Sequence, residues 1–338
     1  MPAAVRRTIA TSLLASITTL VVSSSAFAAG GLTPQTSSSP NAAGIHRAYM
    51  LVSAVTLVVF VLVEGLLIAF VVRFRRRKRT RLDDGPQIHG STKLELIWTV
   101  APAVTLAAIA AFVLASLPNI KDIPGANAAG PQLPITVEGH QFYWQFVYPN
   151  GAIGFDQMLA PTGRNVKLTV TSPTKDVIHS WWVPKLGGKI DAIPGRINHT
   201  WYRAPAPGVY IGQCAELCGV QHAMMRNSVK VVEQDEYAAY TAKQKQLLDA
   251  HSKEFGQQEW DHVCAKCHRL DPAAERLIGP NLGANPLLLE EEGVASLVRN
   301  GRGQMPPVGA NWSDAQIAAL VAYTKTIVHV NGGVTNGG

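Results

Sequence analysis

Cysteine is scarce in this chain: four occur among 338 residues, and all sit in two short motifs, Cys214-Ala-Glu-Leu-Cys218 and Cys264-Ala-Lys-Cys267-His268. No pair is left over for a structural disulfide, and no thiol lies near the amino terminus for lipidation. Charge is sparse as well. Charged residues make up 16% and apolar residues 47%, a balance that argues against a purely soluble protein and calls for membrane segments. No internal repeat is visible, so a repeat architecture is excluded.

The apolar excess is concentrated in two runs. Ala48 to Val72 contains only one charge, Glu64, and at about 1.5 Å per residue it is longer than the roughly 30 Å hydrocarbon core of a bilayer. Ile97 to Leu117 is a second run, with no charge at all. Upstream, Arg6 and Arg7 precede an apolar stretch, Thr8 to Val22, and then Ala26-Phe27-Ala28, the pattern of a secretory signal ending near residue 28. Between the two spans, Arg73 to Arg81 holds seven basic residues in nine, about the size of the whole net charge of +7. Such a run could bind nucleic acid, but its place between two spans makes it a cytoplasmic loop under the positive-inside rule, so no nucleic-acid partner is expected. Both termini then face outward, across a bacterial inner membrane.

The expected order is a two-helix hairpin over 45–118, a Pro/Gly/Ala/Asn-rich linker up to Pro134, and a β domain over 132–232. Val166-Lys-Leu-Thr-Val170 and Val229-Lys-Val231 alternate, and recurrent Pro and Gly turns suggest a sandwich or barrel of short antiparallel strands. A helical connector follows over 233–255, then a section over 256–330 that ends in an amphipathic helix capped at Ser313, and a flexible tail over 331–338. Residues 131 to 232 hold nine Lys/Arg against five Asp/Glu, whereas residues 256 to 330 hold six against eight. Opposite balances would favour docking of the two outer domains, modestly and in a salt-dependent way.

Cys214 to Met225 packs two thiols, His222 and a thioether into twelve residues, the soft set that copper prefers. Two thiolates four residues apart can bridge two copper ions, with His179 and His222 capping one ion each and Met225 weakly axial. Zinc suits cysteine and histidine too, but zinc sites do not usually recruit methionine. The Cys264/Cys267/His268 spacing is that of covalent c-type haem attachment, with His268 as proximal ligand. Met305, in a Gly-rich Met-Pro loop, is the distal candidate by elimination, and a Met/His pair raises a cytochrome's potential. His262 is too close in sequence to cross the ring, and His329 is a weaker rival. His46, His89, His140, His199 and His251 lack ligand spacing and suit surface or satisfied core positions.

Four motifs together resemble subunit II of haem-copper cytochrome c oxidases: Glu95-Leu-Ile-Trp-Thr-Val-Ala-Pro102, Gln141-Phe-Tyr-Trp-Gln145, Asp176-Val-Ile-His179-Ser with Asp191-Ala-Ile-Pro-Gly-Arg196, and the Cys214 to Met225 loop. The resemblance implies a cupredoxin-like barrel on a transmembrane hairpin, followed by an all-α cytochrome c domain. It also implies a binuclear copper centre, CuA, held by His179, Cys214, the Glu216 carbonyl, Cys218, His222 and Met225, with Met225 selected over Met224 by the family spacing. The Glu216 carboxylate would help hold a Mg²⁺ shared with subunit I. Glu95, which also fits a capping box begun at Thr92, would be the entrance of a proton path into subunit I. Phe142 stands where the family has a tryptophan that receives electrons from soluble cytochrome c, so entry through a fused haem is expected instead.

The function expected on this footing is electron entry into a respiratory terminal oxidase, from an upstream cytochrome bc-type complex or cytochrome c, through haem c and CuA to subunit I, where oxygen is reduced and protons are moved. The chain has no ligand set for the oxygen site itself. A nitrous oxide reductase would need a second, histidine-rich copper cluster, a quinol oxidase would lack the copper ligands, and a copper-delivery protein would need no haem.

Overall fold

Leu and Val runs without charge fold as helices because only a helix satisfies every backbone group internally in an apolar medium. The structure, a computed structural model, describes residues 34–74, 87, 89–123, 132–271 and 277–328. The expected signal segment, most of the basic loop, much of the linker, His329 and the tail lie outside those residues. Helices α1 (Pro40–Phe74) and α2 (Thr92–Lys121) pair with each other, are exposed along their middles and are each long and apolar enough to cross a membrane. α1 starts two turns before the apolar run. Those extra turns dock on the β domain, where Asn41 Nδ2 donates to the Trp201 carbonyl at 2.5 Å and the Ser39 hydroxyl accepts from the Arg203 amide at 3.1 Å. Trp201 Nε1 donates to the Ile120 carbonyl at 3.0 Å, so the end of α2 is anchored to the same strand.

The capping box expected from Thr92 to Glu95 is not formed. Ser91 is the N-cap: its backbone is extended (φ −152°, ψ 101°) and its hydroxyl accepts from Leu94 N at 3.5 Å. Glu95 therefore falls one position too late for a box, with its own amide bonded to the Ser91 carbonyl at 3.0 Å.

The β domain has two five-stranded sheets. The first orders β3 (Ile153–Phe155), β2 (Tyr143–Val147), β1 (Leu133–His140), β5 (Val166–Thr171) and β8 (Asn198–Tyr202). The second orders β4 (Gln157–Pro161), β10 (Arg226–Val232), β9 (Gly208–Cys214), β6 (His179–Trp182) and β7 (Ile190–Ala192). Alternation places Ile135, Val137, Val166, Leu168, Val170, Val229 and Val231 in the shared core, beside the fully buried rings of Trp144, Trp181 and Phe146. Not every pairing is antiparallel, contrary to the expectation from turn spacing. β1 with β5 and β4 with β10 are parallel, because in this cupredoxin-like fold the chain crosses between sheets where local turns would have made hairpins.

Helix α3 (Gln234–Asp249) packs on β3 and β4, with Tyr237 and Tyr240 edge-on to Tyr148 at ring separations of 6.1 and 5.9 Å. The expected connector is thus part of the β domain's wall. Ser252 caps α4 (Lys253–His262) through its hydroxyl, so this helix runs across the expected boundary at Gly256. α5 (Glu291–Asn300) and α6 (Asp314–Thr324) complete the helical domain. α6 has the expected cap at Ser313, in a capping box with Gln316, but it is buried on more than one side: Gln316, Ile317, Ala319, Leu320, Val321 and Thr324 are covered, by α4 on one side and the β domain on another.

The α4–α6 crossing depends on Gly256. A Cβ there would lie 1.9 Å from the Ala319 carbonyl oxygen, so the helix backbones meet without a side chain between them. Gly256→Ala is expected to cost about 3 kcal/mol through forced separation of the helices, read as a lower unfolding temperature of the C-terminal helical domain in a calorimetric scan.

Candidate functional site

The copper-type ligands come from strand β6 and from the loop that joins β9 to β10. That loop closes on itself: the Cys214 amide donates to the Met225 carbonyl at 3.0 Å, and Met225 N donates to Gln221 and His222 carbonyls at 3.1 and 3.2 Å. Ala215 N donates to the Ser180 carbonyl at 2.9 Å, which lays the loop beside His179. The Sγ atoms of Cys214 and Cys218 are 4.0 Å apart, far beyond a disulfide bond. Cys218 Sγ is 3.6 Å from His222 Nδ1 and 3.7 Å from Met225 Sδ, and Cys214 Sγ is 3.3 Å from the Glu216 carbonyl oxygen. Ligand atoms of His179, Cys214 and Cys218 all lie within 4.8 Å of one another. All six sequence-selected groups are thus linked by short contacts to one or other of the two sulfurs.

The ring of His179 is set from behind. Its Nε2 lies 3.1 Å from Asp176 Oδ1, a carboxylate acceptor, so the proton belongs there and Nδ1, buried with no partner, is left as a metal donor. Burial opposes protonation of this imidazole, but Asp176 and Cys214 outweigh it and raise its pKa. The hydrogen bond from Cys218 lowers the Cys214 thiol, with His179 and the Ser180 and Glu216 main chain adding to the effect, while the same bond and burial push Cys218 upward. An orphaned imidazole nitrogen, two converging sulfurs and a buried thioether fit a soft metal well. Glu216 turns its carboxylate outward, 4.0 Å from Lys189 Nζ.

The haem motif forms a short turn after α4. Cys264 and Cys267 share a cavity of about 330 Å³ with His268 and Met305, and a second cavity of about 210 Å³ adjoins it, lined in part by Cys264, His268, Met305, Trp260 and Leu320. His268 Nδ1 donates to the Pro280 carbonyl at 2.8 Å, which leaves Nε2 as the ligating nitrogen. Met305 is presented by a tight turn in which Arg302 and Met305 exchange backbone bonds at 3.0 and 3.1 Å. Burial raises the Cys264 thiol to about 12 and Cys267 in the same direction. The cavities and the oriented imidazole fit a covalently held haem. Phe142 is buried and lines the larger cavity, facing the haem motif and not open solvent.

Sequence reasoning expected the two outer domains to dock but named none of the residue pairs at their seam. Tyr143 donates to the Val308 carbonyl at 2.7 Å and accepts from Trp312 Nε1 at 2.9 Å. Asn311 Nδ2 donates to Glu138 Oε2 at 2.8 Å, and Gln316 Nε2 donates to Gln145 Oε1 at 3.2 Å. His140 is fully buried, stacked on Tyr143 at 4.6 Å, with its Nε2 3.4 Å from Glu138. No spacing in the chain signals these pairs, whose partners are up to 173 residues apart. Glu95 and Glu64 belong to neither centre. Glu95 is exposed at the start of α2, and at about 1.5 Å per residue some 39 Å of helix separates it from Lys121, the end anchored to the β domain.

Family models match three stretches: the transmembrane domain of cytochrome c oxidase subunit II over residues 28–116, its periplasmic domain over 156–232, and the cbb3-type cytochrome c oxidase subunit III cytochrome over 252–323. The chain is 32% identical to cytochrome c oxidase subunit 2 of Alkalihalophilus pseudofirmus, over 77% of this chain and 81% of that one. It is 34% identical to the protein of the same name from Cereibacter sphaeroides, over 62% and 79%. The periplasmic domain of oxidase subunit II from Bradyrhizobium japonicum is a solved structure 36% identical to it, covering 34% of this chain and 94% of that chain with a TM-score of 0.32.

Glu259, on α4, gives the seam a pH signature. It is wholly buried, and burial lifts its carboxyl well above the usual range while Gln316 offsets only part of that. A raised folded-state pKa means full stability below the unfolded pKa and a loss as pH climbs from there toward the folded value. Glu259→Gln should therefore raise the unfolding temperature at pH 7–8, with the gain shrinking to nothing below about pH 4. A thermal series across pH checks it.

Proposed function

The chain belongs to the cytochrome c oxidase subunit II family, and from that membership we propose that it is the electron-entry subunit of the oxidase, relaying electrons from an outside donor through haem c and a binuclear copper centre to subunit I. The observation that carries this reading is the shared cavity wall: Gln141, Phe142 and Val220 of the β domain line the same cavity as Cys267, His268 and Met305. When bound, the two groups supply reversible one-electron chemistry, and the protein supplies their spacing and surroundings.

Cys264 and Cys267 would attach the haem, and His268 and Met305 would ligate its iron. His268, pinned through Nδ1 to Pro280 O at 2.8 Å, has its ring orientation fixed and its other nitrogen directed away from that bond. His179, Cys214, Cys218, His222, Met225 and the Glu216 carbonyl would hold copper, and Asp176 fixes the His179 tautomer. The hydrogen bond between the two thiols favours ionisation of Cys214 and opposes that of Cys218, so metal entry would release at least the Cys218 proton. The Glu216 carboxylate, facing outward, would join a Mg²⁺ whose remaining ligands come from subunit I. Phe142 under the haem domain cannot meet a soluble cytochrome directly, so the donor, a cytochrome bc-type complex or a cytochrome c, would meet the haem domain. Both centres would face the outer side of the bacterial inner membrane, and Glu95, at the opposite end of α2, would open a proton path into subunit I.

Metal analysis of the purified oxidase complex should find two coppers and one covalent haem assigned to this chain. Cys218→Ser should remove the near-infrared copper band and leave the haem c spectrum intact, whereas zinc in place of copper would overturn the assignment. Glu95→Gln should slow proton uptake during oxygen reduction without altering electron transfer between the outer centres. Unchanged uptake in a flow-flash measurement would leave Glu95 with no such role.

A further inference from the structure

Lys266 lies between the two haem-attaching cysteines and is fastened to the β domain from both its side chain and its main chain. Its ammonium donates to Asp156 Oδ2 at 2.7 Å and to the Phe142 carbonyl at 3.0 Å. Its own carbonyl oxygen accepts from Gln221 Nε2 at 3.3 Å. Gln221 immediately precedes His222 in the copper loop, so a single side-chain amide joins the haem turn to the metal-ligand segment. Gln141 braces the same loop, with Nε2 donating to the Cys218 carbonyl at 2.8 Å.

The socket for Lys266 is built in advance. Asp156 sits in left-handed backbone (φ 53°) between β3 and β4, and its Oδ1 accepts from the Trp144 amide at 3.0 Å, which aims Oδ2 outward at the lysine. Both side chains of the pair are only 19% exposed, so the charges are shielded from water and their value lies in fixing geometry more than in net stability.

We propose that Lys266 and Gln221 are positioning residues for electron transfer between the two centres, the Asp156–Lys266 pair seating the haem turn and the Gln221–Lys266 hydrogen bond coupling it to the copper loop. One electron crosses, the donor centre is oxidised by one and the acceptor reduced by one, and no bond or proton changes hands. The inference rests on the relay proposed above.

The test uses the full oxidase complex with Lys266→Met, Lys266→Arg and Gln221→Leu. After flash photoreduction of haem c, copper reduction is followed in the near infrared, equilibrium potentials of both centres are titrated, and hydrogen exchange of the Phe142 to Gln145 segment is measured. In Lys266→Met and Gln221→Leu, transfer should slow by about tenfold or more, as expected for a small misplacement of reacting partners, with spectra and potentials unchanged. Exchange should quicken in Lys266→Met, and Lys266→Arg should recover most of the rate. Wild-type rates in both Lys266→Met and Gln221→Leu, with both centres intact, would overturn the inference and leave the relay standing. No copper reduction from haem c in the wild type would sink relay and inference together.

Discussion

Strand β2 is buried on both faces, and the arrangement of the outer domains follows from that constraint. Trp144 and Phe146 point into the β domain's core, whereas Tyr143 points the other way into the core of the helical domain, with Ile153 and Phe155 beside it. Leaving Tyr143 uncovered would expose a ring whose burial contributes about 2–3 kcal/mol, together with a hydroxyl that has both a donor and an acceptor waiting across the seam. The helical domain therefore does not hang from a linker. It completes a sheet that would otherwise present an apolar face to water.

That geometry changes the meaning of the charge balance. The basic β domain and the acidic helical domain do have opposite totals, yet the ion pair at their junction runs the other way, with the carboxylate on the β domain (Asp156) and the ammonium on the helical domain (Lys266). Dispersed surface charges act weakly through salt water, while a pair at 2.7 Å with little solvent around it acts through position.

Local chemistry accounts for how much of the candidate site was legible beforehand. Cys214, Cys218, His222 and Met225 lie within twelve residues, so any loop that closes brings them together, and the hydrogen bonds between its ends show that it does. Cys264, Cys267 and His268 are equally local, and the two apolar runs announce themselves by composition. His179 was joined to the loop only as a further imidazole donor, since nothing in its own segment names its partner 35 residues away. The capping box at Thr92 failed because Ser91, one residue earlier, offers an equally good hydroxyl on extended backbone. The all-antiparallel expectation failed because turn residues report hairpins but not crossings between sheets.

Composition, periodicity and short spacing were sufficient for the two long apolar helices, the β and helical domains and the local Cys/His motifs, because each depends on residues that are neighbours in the chain. Only the tertiary structure decided that Asp176 orients His179, that Phe142 lies under the haem domain, and that Asp156, Lys266 and Gln221 meet at the junction. These contacts join segments between which the chain turns many times. Their pairing is chosen by which buried faces fit and which polar groups would otherwise be stranded without a partner, a condition no single stretch of sequence can express.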